Sequence, residues 1–166
     1  MNIQLILTDV DGVLTDGGII YDNNFQEYKR FNVKDGLIVR PLQKMGIRVG
    51  VITGRNSEVV RKRCEELNFD FHFHGIKNKL EIYEQIKKTT QLDDTQIAYI
   101  GDDWNDLPLL RRVGLSFAPA DANEQVLQEV KVVLKSAGGE GAFREAAQLI
   151  LKKQGLLEAA LNLYLA

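Results

Sequence analysis

Short apolar runs alternate with stretches of helical spacing along this chain, and several of the runs stop at acidic or hydroxyl residues. Ile3–Thr8 ends at Asp9 and Asp11, Ile47–Thr53 ends in a Thr53-Gly54 turn, and Ile97–Ile100 leads into Gly101, Asp102, Asp103 and Asp106. Runs this short and this apolar suit strands buried on both faces, which a helix-covered parallel sheet provides. Further extended runs fall at Phe69–Phe73, Leu115–Ala118 and Val132–Leu134. Helical spacing falls at Asp35–Lys44, Ser57–Leu67, Leu80–Thr89, Asn105–Val113, Asn123–Val130 and Ala142–Lys153. The alternation predicts an α/β fold built on a doubly wound, mainly parallel sheet. Gly18–Tyr21 and Glu27–Phe31 break the rhythm: they flank the turn-forming Asp22-Asn23-Asn24 and read as a β-hairpin.

No repeat or low-complexity linker divides the 166 residues, so one domain over 1–166 is expected. It carries a hairpin flap at about 17–32 and a C-terminal tail at about 136–166, entered through a flexible Gly138–Gly141 loop. A chain of this length buries about 70% of its unfolded surface without disulfides or metal staples. The formal charge of −2 gives no electrostatic case for nucleic acid or an anionic membrane. No run is long enough to span a bilayer, no leader segment is expected ahead of Ile3, and the single cysteine, Cys64, has no internal partner. A cytoplasmic location is the expectation.

In a doubly wound sheet, ligands sit at the carboxyl ends of the strands. That rule brings together Asp9 and Asp11, Thr53, Lys79 at the start of a helix, and the Asp102–Asp106 cluster. Carboxylates gathered at one point repel unless a cation sits among them, and oxygen-only ligands suit octahedral Mg²⁺. Such an ion neutralises a phosphate oxygen, so that a carboxylate can attack an anionic ester and form an aspartyl phosphate. Asp11 is placed to protonate the leaving oxygen and then to activate water. Thr53 offers a hydrogen bond and Lys79 a positive charge to the phosphoryl group. Singly, each residue has a plainer reading, as a turn, a helix cap or a surface lysine. Their fixed order after separate strands is what carries the functional one.

DVDGVLTDGG, VITGR, Lys79 and GDDWND together resemble the four motifs of the haloacid dehalogenase superfamily, over nearly the whole chain. The resemblance implies a Rossmann-like phosphohydrolase fold. It implies Asp9 as nucleophile and Asp11 as general acid/base, with Thr53 and Lys79 on the phosphoryl group. The Asp9 side chain, the Asp11 main-chain carbonyl and the Asp102 side chain would hold Mg²⁺, supported by Asp103 and Asp106. Too little chain lies between Leu14 and Asp35, or between Gly54 and Lys79, for a lid domain, so a capless form with a small hairpin flap is expected.

The stretches DVDGVLTDGGIIYDNNFQEYKRFNVKDG and SAGGEGAFREAAQLIL are similar to the 3-deoxy-D-manno-octulosonate 8-phosphate phosphatase family within that superfamily. This implies a sugar-acid phosphate substrate, a role in lipopolysaccharide precursor synthesis, and a homotetramer whose hairpins and neighbouring tails close each site. A substrate carboxylate calls for arginine forks, and Arg55, Arg63 and Arg144 are the candidates. Arg63 lies eight residues beyond Arg55, about two helical turns, a spacing that lets both share a face. Relatives acting on nine-carbon sugar acids can be acidic at the place of Arg55, which favours the eight-carbon substrate and leaves the nine-carbon one as the alternative. Outside this class stand a receiver-like phospho-acceptor module and a catalytically inert scaffold partnering a sugar nucleotidyl-transferase. His72 and His74 alternate on one strand face and read as plain strand residues, and Trp104 as packing beneath the acidic loop.

Overall fold

The computed structural model describes residues 2–165; Met1 and Ala166, the ends of the expected domain and tail, lie outside the described residues. Six parallel strands form the central sheet: β1 (Leu5–Thr8), β4 (Arg48–Ile52), β5 (Phe71–Phe73), β6 (Ile97–Ile100), β7 (Leu115–Ala118) and β8 (Val132–Val133). Their spatial order is β5-β4-β1-β6-β7-β8, so the chain winds outward from β1 in both directions. The sheet is therefore doubly wound, as the alternation predicted. β2 (Ile20–Tyr21) and β3 (Glu27–Tyr28) pair antiparallel as a separate two-stranded ribbon.

Side chains of β1 alternate between two cores. Ile6 packs on one face with Val49, Ile100 and helix α7 (Ala142–Lys153), whereas Leu5 and Leu7 pack on the other with Tyr83, Leu109 and Val126. Period-two alternation with both faces apolar is what a strand covered by helices on each side requires. The remaining helices are α1 (Val33–Leu37), α2 (Val39–Lys44), α3 (Glu58–Glu66), α4 (Lys79–Thr90), α5 (Leu107–Leu110), α6 (Glu124–Glu129) and α8 (Leu157–Asn162).

Three local expectations are corrected. The helix expected over Asp35–Lys44 is two, meeting at Ile38. Pro41 has no N–H to continue a helix from α1, but is tolerated in the first turn of a new one. The helix expected from Asn105 is a 3-10 turn, Trp104–Asp106, capped by Asp103 and followed by α5 with a proline in its first turn. The Gly138–Gly141 segment is clamped rather than flexible. Gly139 N donates to Val13 O at 2.9 Å and Gly138 N to Asp121 Oδ1 at 2.8 Å. A Cβ on Gly138 would stand 2.1 Å from Gly12 O, so the glycine is there to let two loops touch.

Candidate active site

Register sets the site. Thr8 pairs with Val51 on one side and Ile100 on the other, so β1, β4 and β6 end within one residue of each other and deliver Asp9, Thr53 and the Gly101–Asp106 loop to one edge. An open cleft there is lined by Asp9, Asp11, Gly17, Thr53, Gly54, Arg55, Asp102, Asp103 and Asn105. Gly12, at φ +85°, carries the chain past Asp102; a Cβ there would lie 2.0 Å from Asp102 Oδ2.

Lys79, at the first position of α4 and 3% exposed, reaches under the cleft. Its Nζ lies 2.7 Å from Asp9 Oδ2 and 2.7 Å from Asp106 Oδ1. Burial works against its charge, but Asp9 and Asp106 outweigh that and hold the ammonium above its ordinary pKa. Asp106 is fully buried and saturated. Its Oδ1 accepts from Lys79 and, at 2.5 Å, from the Tyr99 hydroxyl; its Oδ2 accepts from Asp102 N at 3.0 Å and Asp103 N at 3.3 Å.

The nearest carboxylate oxygens of Asp9, Asp102 and Asp106 fall within 4.8 Å of one another. Burial first, and then Asp106, push Asp9 up to about 7 despite Lys79 and the Val10 N–H. Burial, Asp106 and Asp9 push Asp102 up to about 8. Carboxyl groups so disfavoured as anions mark a place short of positive charge, and the all-oxygen donor set suits a hard divalent ion. Because Asp106 already accepts four hydrogen bonds, the side chains free to ligate are Asp9 and Asp102. Asp103 is an exposed capping residue whose Oδ1 accepts from Trp104 N.

Asp11 sits above this layer and belongs to the hairpin side. Its Oδ1 accepts from Lys29 Nζ at 2.5 Å and from Thr15 Oγ1 at 3.4 Å, and its Oδ2 lies 3.7 Å from Arg55 Nε. Arg55 donates through Nη2 to the Tyr21 hydroxyl at 2.9 Å and to Glu27 Oε1 at 3.1 Å. It therefore faces the cleft already paired with a hairpin carboxylate.

The other arginines are not brought to this cleft within the chain. Arg55 precedes α3, whose N-cap is Ser57, so helical spacing does not align it with Arg63. Arg63 pairs with Glu66 at 3.0 Å and stacks 5.7 Å over the Phe31 ring. Arg144 lies at the start of α7, where its N–H donates to Asp35 Oδ1 at 2.8 Å. His72 Nδ1 on β5 and His74 Nε2 just beyond its end meet at 3.0 Å, apart from the cleft. Trp104 corrects expectation: it is 63% exposed, and its Nε1 donates to Asn123 at 2.9 Å rather than packing beneath the loop.

Sequence reasoning missed Tyr99, which reads as one more apolar strand residue, and the pair Glu27 and Lys29. The signal for that pair was present. Glu27 and Lys29 share one face of the second hairpin strand, while Tyr28 takes the other.

The haloacid dehalogenase-like hydrolase family model matches residues 32–114. 3-Deoxy-D-manno-octulosonate 8-phosphate phosphatase KdsC of Escherichia coli (strain K12) is 41% identical over 159 residues, 96% of this chain and 85% of that protein. The stretch covered is long enough to take in Asp9 and Asp11, which the family model does not reach. The crystal structure of the 3-deoxy-D-manno-octulosonate 8-phosphate phosphatase of Yersinia pestis superposes with a TM-score of 0.93 at 42% identity, over 95% of this chain and 85% of that one. The Moraxella catarrhalis enzyme, solved with magnesium, phosphate and KDO, gives 0.94 at 36% identity, over 98% and 93%.

Proposed function

This chain belongs to the haloacid dehalogenase-like hydrolases, and from that premise we propose that it hydrolyses 3-deoxy-D-manno-octulosonate 8-phosphate to the free sugar acid and phosphate. The observation that carries the chemistry is the convergence of Asp9, Asp102 and Lys79 at one cleft, with Asp11 on its rim. Asp9, Asp102 and the Asp11 main-chain carbonyl would hold Mg²⁺, which supplies charge neutralisation at a phosphoryl oxygen.

The residues divide the work as follows. An Asp9 carboxylate oxygen bonds to phosphorus as the bond from phosphorus to the sugar oxygen breaks, and the acid form of Asp11 gives that oxygen its proton. Asp11, now ionised, takes a proton from water; the water oxygen attacks phosphorus, phosphate leaves and Asp9 is restored. Thr53 donates to the phosphoryl oxygens, and Lys79 holds Asp9 in place while offsetting the negative charge of the transferred group. Asp106 anchors Lys79 and the Asp102–Asp103 backbone, and Asp103 starts the turn that carries it.

Arg55 is the group of this chain's own cleft suited to a substrate carboxylate. The assembly in this reading is a homotetramer, supported by a hairpin that exposes Ile19, Ile20, Tyr21, Phe25 and Tyr28. Arg144 then serves a neighbouring subunit's site, while Arg63 stays paired with Glu66. The enzyme works in the cytoplasm, in lipopolysaccharide precursor synthesis; no described helix is long and apolar enough to cross a membrane. The test is kcat/KM with Mg²⁺ on eight- and nine-carbon ulosonate phosphates, neutral sugar phosphates and an aryl phosphate. The eight-carbon ester should lead, and Arg55→Ala should cost it about ten- to hundred-fold while sparing the aryl ester. A neutral sugar phosphate in first place would overturn the assignment.

A further inference from the structure

Lys29 has no solvent-exposed side-chain surface, although the flanking hairpin residue Tyr28 is 54% exposed. Burying a lysine forfeits hydration and rotamer freedom, so its partners must hold it in one place. Its partners are Asp11 Oδ1 at 2.5 Å and Glu27 Oε1 at 3.5 Å. Glu27 is itself fixed from outside the hairpin: its Oε1 accepts from Arg55 Nη2, and its Oε2 accepts from Ser57 Oγ at 2.5 Å, the N-cap of α3. A continuous polar chain therefore runs Ser57 and Arg55 to Glu27, then Lys29, then Asp11. It joins the loop after β4 to the loop after β1 by way of the flap.

We propose that Lys29 is a positioning residue for Asp11, and that Glu27 aims it. With Lys29 and Thr15 on Oδ1, the Asp11 carboxyl is held in one rotamer, which leaves Oδ2, 3.7 Å from Arg55 Nε, as the oxygen to serve the leaving group. The flap then completes the acid/base, and only when its second strand is docked against Arg55 and Ser57. Displacing a reacting carboxyl by about 1 Å is enough to lose a factor of about a hundred in rate. This inference rests on the reading of Asp11 as general acid.

The test uses the full chain with Mg²⁺ and three esters: the sugar-acid phosphate, a plain alkyl phosphate lacking a carboxylate, and 4-nitrophenyl phosphate, whose leaving group departs without a proton. The readout is kcat/KM, which covers the steps through departure of the leaving group. Asp11→Asn should depress both alkyl esters far more than the aryl ester. Lys29→Met should reproduce that split, with a loss of about ten- to hundred-fold on the alkyl esters. Lys29→Arg should recover part of it, and Glu27→Gln, which keeps Lys29 but loosens its aim, should show the same split at smaller amplitude. Equal losses on all three esters in Lys29→Met and Glu27→Gln would reduce Lys29 to a fold residue. A loss confined to the sugar-acid phosphate would make it a substrate-recognition residue. Either result overturns the proposal. If Asp11→Asn itself shows no split, the acid role of Asp11 fails, and the inference falls with it.

Discussion

Lys79 Nζ lies 2.7 Å from Asp9 Oδ2, so one buried ammonium from the first turn of α4 is the fixed counter-charge of the Asp9 carboxylate. The same nitrogen is 2.7 Å from Asp106, which is why its removal should harm both fold and chemistry. Breaking a buried charge pair by deleting one partner costs about 3–5 kcal/mol. Lys79→Met should lose stability of that order in urea, and should lose catalysis by about a hundredfold or more with Mg²⁺ saturating. Wild-type stability in that variant would mean Asp9 and Asp106 do not depend on the ammonium.

Metal binding should be tied to pH through Asp9 and Asp102, pushed up to about 7 and about 8. Ordinary carboxyl groups titrate near ~4, so between there and about 8 the native state holds protons that the unfolded chain has released. More protons bound in the native state means that these two groups make the metal-free protein less stable as pH rises through that window. Mg²⁺ needs both groups ionised, so its stabilising increment grows over the same range. Asp35, raised to about 6, reinforces the metal-free trend and His74, lowered to about 4, opposes it. Both drop out when melting temperatures with and without Mg²⁺ are subtracted. The difference should widen from about pH 6 to about pH 8; a difference independent of pH would contradict the assignment of these two carboxylates to the metal.

A glycine far along the chain should control the loop that carries Asp9 and Asp11. A Cβ on Gly138 would stand 2.1 Å from Gly12 O and 3.0 Å from Thr15 O, so Gly138→Ala must push on the loop that carries Asp11. Gly46, with φ +79° and nothing within 4 Å of a Cβ, is the control for glycine loss alone. Gly46→Ala should cost about 1–2 kcal/mol of stability and leave kcat unchanged. Gly138→Ala should lower kcat by about tenfold or more even where it remains folded. Matching effects of the two substitutions on kcat would show that the contact does not matter for catalysis.

Much of the fold was legible because β-branched runs and helical spacing are local signals: Ile97–Ile100 and Leu115–Ala118 are strands over the very residues the pattern marked. The break at Ile38 and the 3-10 turn at Trp104–Asp106 were not legible, since they depend on where a proline falls within a turn and on which acidic residue caps it. The cleft residues at strand ends could be gathered from order alone, because a parallel sheet puts every strand's carboxyl end on one edge. Residues whose role depends on reach escaped that logic. Arg63 and Arg55 look alike in sequence, yet one pairs with Glu66 on its own helix and the other with Glu27 of the hairpin. Spacing puts Lys29 on one strand face with Glu27, but it does not tell a solvated lysine from one folded inward, as this one is.

The most direct test of the account is to trap the phosphorylated side chain. Wild-type protein would be mixed with Mg²⁺ and the sugar-acid phosphate, quenched during turnover and reduced with borohydride, which converts an aspartyl phosphate to homoserine. Peptide mass spectrometry should find homoserine at position 9 and at no other aspartate, and Asp9→Asn should abolish both the signal and turnover. Reduction at a different aspartate, or sustained turnover by Asp9→Asn, would contradict Asp9 as the attacking group.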